Sequence, residues 1–86
     1  MDRPQTLVAC SSLCGEAVVD PDDGEVGRLD HMLIDVASGR IAYAVVARGG
    51  VFGIGETLFE VPWDALTVDA QRQVLVLETA GHSYAL

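Results

Sequence analysis

The chain has no lysine, only two histidines and two cysteines, and few aromatic residues, 6% of its 86 positions. Its basic residues are all arginines, Arg3, Arg28, Arg40, Arg48 and Arg72, scattered without forming a stripe. Phosphate contacts need a basic stripe, and a net charge of −8 with a pI near 4.3 opposes them further. These features argue against a nucleic-acid-binding surface, and no nucleic-acid partner is expected. The acidic excess instead favours solubility and repels anionic lipid. The longest apolar run, Ile41 to Ala47, is far too short to span a bilayer, so no membrane insertion is expected. The leading residues lack the apolar centre of a signal peptide, and a cytoplasmic location is expected. In that reducing compartment Cys10 and Cys14 are expected to be free thiols.

Apolar residues, in contrast, are plentiful. Half the chain is hydrophobic and mean hydropathy is +0.32, rich for a domain of this length. A chain this short holds one core and buries only about 60–65% of its unfolded surface. Apolar surface left over after the core is filled points to self-association or to a partner. One domain over residues 13–78 is expected, between an N-terminal tail (1–12) and a C-terminal tail (79–86).

Turn chemistry and period-two alternation divide that domain into strands. Ser11 to Gly15 reads as a turn that drops Leu13 into the core, and Glu16 to Asp20 reads as a short strand. Asp20-Pro21-Asp22-Asp23-Gly24 combines a preset φ at proline, aspartates that bond nearby backbone N–H groups, and a permissive glycine. Glu25 to Ala37 forms the second strand. Its alternation breaks at Leu29-Asp30-His31-Met32-Leu33, where apolar residues fall on both parities. Either a β-bulge shifts the register or the strand is buried on both faces. Gly27 allows close approach of a neighbouring strand.

After the turn at Ala37-Ser38-Gly39, Arg40 to Arg48 forms the central strand. Thr57 to Val61 forms a fourth strand, closed by Pro62, which cannot donate to a ladder and belongs at a strand end or edge. Asp64 is placed to cap the short turn that follows. Leu66 to Asp69 and Gln73 to Glu78 complete the pattern as a last pair of strands around a polar turn.

No constellation with chemistry stands out. The acidic turn differs from an EF-hand loop, because Gly24 comes one residue too early and no helices flank it. The glycine-rich stretch Gly49 to Gly55 lacks a Gly-Lys-Ser/Thr ending and leads into a strand. The helix N-terminus that binds phosphate is therefore missing. It reads instead as a flap whose Val51, Phe52 and Ile54 cover an edge or a partner. His31 and His82 lack metal-ligand spacing, and Cys10 and Cys14 have three residues between them, where a zinc knuckle has two. No nucleophile elbow or cysteine-protease signature surrounds a serine or cysteine. No enzyme, cofactor or metal is expected.

Four segments, taken together, carry a family likeness. They are Gly24-Glu25-Val26-Gly27-Arg28-Leu29-Asp30, Leu33-Ile34-Asp35, Gly39-Arg40-Ile41-Ala42-Tyr43-Ala44-Val45-Val46 and Val61-Pro62-Trp63-Asp64-Ala65-Leu66. In order and spacing they resemble the G-x-x-I/V-G-x-V/L-x-D, L-I-D, G-R-I/V-x-Y-x-V-V and V-P-W-x-x-L segments of the PRC-barrel family. Leu13 to Val18 is similar to that family's opening L-x-G-x-x-V. The resemblance implies an all-β fold, a small, strongly bent antiparallel barrel of five to six strands. It also implies use as an adaptor with no shared catalytic residue. The family includes the cytoplasmic domain of the photosynthetic reaction-centre H subunit, the C-terminal domain of a ribosome maturation factor, and many stand-alone prokaryotic proteins.

The reading that follows is a non-enzymatic interaction module that forms a homodimer or binds another protein. Its candidate interface is Leu29, Met32, Ile34, Val51, Phe52 and Ile54. Its structural motif is Gly24, Gly27, Asp30, Asp35, Gly39, Tyr43, Pro62 and Trp63. The alternative is a regulatory domain that responds to a small ligand or ion through the acidic turn, residues 20–25.

Overall fold

The structure is a computed structural model that describes residues 7–50 and 55–78. A single helical turn, α1 (Cys10–Leu13), precedes strands β1 (Ala17–Val19), β2 (Glu25–Asp35), β3 (Arg40–Arg48) and β4 (Thr57–Pro62). A 3-10 turn over Trp63–Ala65 then leads to β5 (Leu66–Asp69) and β6 (Val74–Leu77). All six strands form one sheet in the order β4-β3-β2-β1-β6-β5.

The fold is the expected all-β one, with two refinements. The pairings are antiparallel except for β1 with β6, which run parallel, Val18 opposite Leu75. No hydrogen-bonded ladder joins β4 to β5, so the sheet bends without closing. The bend is visible in the core. Val18, Leu29, Val46, Phe59, Val61, Leu66, Leu75 and Leu77 come from all six strands, yet they pack into a single cluster. Six inner faces meet at one point only if the sheet curls around it.

A register shift in β2 accounts for its broken alternation: between Leu29 and His31, Asp30 is left without a partner, whereas the second irregularity, at Leu33 and Ile34, skips Ala42 of β3. Leu29 opposes Val46 and Met32 opposes Ala44, so both turn toward the core side, while His31 opposite Val45 and Leu33 opposite Tyr43 take the outer face. The bulge at Asp30 reverses the parity of every residue after it. Gly27 sits where β2 and β3 touch: a β-carbon there would lie 2.3 Å from the Ala47 carbonyl oxygen. Only hydrogen fits.

The turns are held by their own side chains. The Asp35 carboxylate accepts the Ala37 N–H at 3.0 Å, its carbonyl accepts the Gly39 N–H, and Gly39 takes φ of +77°. The Ser11–Gly15 region is a helical turn followed by a bend, and Leu13 does pack against the core. Asp64 lies inside the 3-10 turn, whose cap position is Pro62, because the turn begins one residue earlier than its sequence suggests. No helix of the described residues is long and apolar enough to cross a membrane.

Candidate interaction surface

Side chains of β2, β3 and β4 that point away from the core create an apolar outer face. Cross-strand register sets it: Leu33 opposes Tyr43, His31 opposes Val45, Val45 opposes Glu60, and Ala47 opposes Leu58. Leu33, Val45 and Leu58 line one shallow depression with His31 and Glu60 beside them. Leu58 is 51% exposed, Tyr43 43% and Leu33 37%. Ile34, near the end of β2, and Val36, in the turn that follows, are exposed as well. Single exposed leucines are ordinary, but neighbours on adjacent strands form a surface that water covers poorly. The patch reaches β4, whose outer edge has no hydrogen-bonded neighbour among the described residues.

Polar groups sit at its margin. The Asp30 carboxylate and His31 Nδ1 are hydrogen-bonded at 2.6 Å, both well exposed. Arg28 donates to Glu56 where the chain enters β4. A polar rim around an apolar centre is the usual anatomy of a protein–protein contact.

On the side of Met32 lies a groove of about 540 Å³. Leu7, Val8, Leu13, Met32, Ile41 and Trp63 are among its walls. Trp63 is placed here by the 3-10 turn, with one part against the core cluster and another facing the groove.

The acidic turn is satisfied internally. Asp20 Oδ1 accepts the N–H groups of Asp22 at 2.9 Å and Gly24 at 2.8 Å. The Asp20 backbone N–H donates to the Gly24 carbonyl, and the Asp20 carbonyl accepts from Asp23. Asp23 accepts from Arg72 Nη2 at 2.5 Å, and that hydrogen bond, followed by the charge attraction, raises the guanidinium above its ordinary value. The pair is exposed and adds little stability. A β-carbon at Gly24 would come within 2.6 Å of the Asp20 carboxylate, so a larger residue there would displace that side chain. Two of the turn's four aspartate and glutamate carboxylates closest to its apex are thus engaged by protein donors. Asp20→Ala is expected to cost about 1–2 kcal/mol, measured by urea unfolding, because it strips the acceptor from two backbone donors.

The sequence-derived interface is divided by the structure. Leu29 is a correction: opposite Val46 it faces inward, is 1% exposed within the core, and cannot meet a partner. Met32 is half-buried and faces the groove rather than the outer face. Ile34 is 61% exposed. Val51, Phe52 and Ile54 lie outside the described residues. Of the structural motif, Tyr43 lies on the outer face opposite Pro62, and Pro62 ends the edge strand β4. Leu33 and Leu58 were absent from the sequence-derived set. The alternation Leu58-Phe59-Glu60-Val61, with Phe59 and Val61 in the core, contained the signal that places Leu58 outside.

Among the described residues no three His, Cys, Asp or Glu side chains converge. A family model described as PRC-barrel domain matches residues 5–81. No curated protein matches the sequence.

Proposed function

The chain belongs to the PRC-barrel family, and from that premise we propose that it is a non-enzymatic interaction module that self-associates through the outer face of β2–β4. The observation that supports this most is the set of exposed apolar side chains Leu33, Tyr43 and Leu58 on adjacent strands, around a buried Val45. In a two-fold arrangement the same patch on two copies buries itself against its own image. Sheet faces packed in this way interdigitate their outward side chains. The rim residues Asp30, His31 and Glu60 stay in water and limit the contact to one register.

Methyl NMR on dilution tests this reading. The Leu33 and Leu58 methyl signals are expected to move with protein concentration, while those of the core residues Leu75 and Leu77 stay fixed. Shifts that are independent of concentration at Leu33 and Leu58 would remove the outer face as the contact.

A further inference from the structure

We propose that Cys10 and Cys14 form a two-thiolate clamp for a soft, thiophilic metal ion of the copper(I) class. Both cysteines are free and exposed. The Cys14 N–H donates to the Cys10 carbonyl at 3.3 Å, which holds the two residues one helical turn apart. Side chains four apart on a helical turn lie on one face, with β-carbons about 5–6 Å from one another. A disulfide needs about 3.5–4.5 Å between β-carbons, so the intact turn keeps the sulfurs from bonding directly. An ion bonded to both, at the roughly 2.3 Å of a metal–thiolate bond, spans up to about 4.6 Å between sulfurs and fits that wider spacing.

The platform under the clamp is firm. Leu13, between the two cysteines, packs against the core. Just beyond Cys14, the Gly15 N–H donates to the Leu29 carbonyl at 2.7 Å, and the Leu29 N–H donates to the Glu16 carbonyl at 2.9 Å. The turn is thereby stitched to β2, so little ordering is needed on binding.

Ligand number and softness choose the ion. Zinc at a structural site takes four protein donors, and no three of the usual donors converge among the described residues. Copper(I) accepts two thiolates in a linear arrangement, and thiolate donors select it over hard cations. One flank of Cys10 is the apolar groove wall that includes Leu13 and Met32. That wall disfavours a heavily hydrated cation. Binding replaces two S–H bonds by two Cu–S bonds and releases two protons, with no change of oxidation state.

Anaerobic titration of the full chain with copper(I), against the chromophoric chelator bicinchoninate, tests the proposal. Wild type is expected to withdraw one equivalent, with an apparent affinity that rises with pH. Cys10→Ser and Cys14→Ser are each expected to weaken binding at least 100-fold. Circular dichroism of these variants should be unchanged, since both side chains are exposed. Failure of wild type to compete with the chelator would overturn the clamp. Wild-type affinity in either folded single variant would overturn it equally, because one thiol would then suffice.

Discussion

Replacing Gly27 by valine is expected to leave the chain unfolded, and Gly27→Ala to lower stability by more than about 2 kcal/mol. The β-carbon of any other residue would sit 2.3 Å from the Ala47 carbonyl oxygen and 3.0 Å from Val46 Cγ1. The first of these is a backbone atom that β3 cannot withdraw without breaking its ladder to β2. Gly27 also opposes Val18 of β1, so the damage reaches the strand at the middle of the sheet. For a domain of this size each kcal/mol shifts the melting point by about 4–8 °C. The alanine variant should therefore melt at least about 8 °C below wild type in a calorimeter. An alanine variant as stable as wild type would show that β2 and β3 are further apart than described.

Leu58→Glu is expected to act on association instead of folding. Leu58 is half exposed on an edge strand, and its loss leaves the core residues Phe59 and Val61 in place. In a self-associated pair the new carboxylate would be buried near Glu60 and its symmetry mate, without a donor. Burial of an unpaired charge is costly, and on a chain of net charge −8 it adds to an existing repulsion. The dissociation constant should rise at least tenfold, about 1.4 kcal/mol, with an unchanged melting point for the monomer. Added salt should strengthen wild-type association, since the Debye length falls from about 30 Å at 0.01 M to about 8 Å at 0.15 M. A variant that unfolds would instead assign Leu58 to the core. One that associates as wild type would place the contact elsewhere.

These two residues also illustrate what the sequence makes legible. Strand positions follow from alternation and turn chemistry, which are local: β3 occupies Arg40–Arg48, the span bounded by the Ser38-Gly39 turn and the Gly49-Gly50 pair. The requirement for glycine at position 27 is legible too, as an interruption in a strand of larger residues. The side of the sheet each residue takes is less so. Period two assigns faces only within an unbroken register, and the bulge at Asp30 puts Leu33 on the face opposite to Leu29, four residues before it. An apolar residue on each parity therefore looks like a candidate interface until the position of the bulge is known.

Non-local pairing was likewise hidden. The parallel match of β1 with β6 joins segments more than fifty residues apart, and neither carries a mark of the other. The helical turn at Cys10–Leu13 is too short for propensity to announce it, and its consequence, the hydrogen bond from the Cys14 N–H to the Cys10 carbonyl, appears only in three dimensions. The groove beside Trp63 is built from segments far apart in the chain, Leu7 to Leu13, Met32, Ile41 and Val68 among them, which the strand pattern alone does not bring together.

Solution mass by light scattering on a sizing column, from micromolar to millimolar chain, tests self-association most directly. The expected result is a mass that rises with concentration toward twice the 9.1 kDa of one chain. A constant 9.1 kDa over the whole range would contradict it, and the outer face of β2–β4 would then have no second copy to cover it.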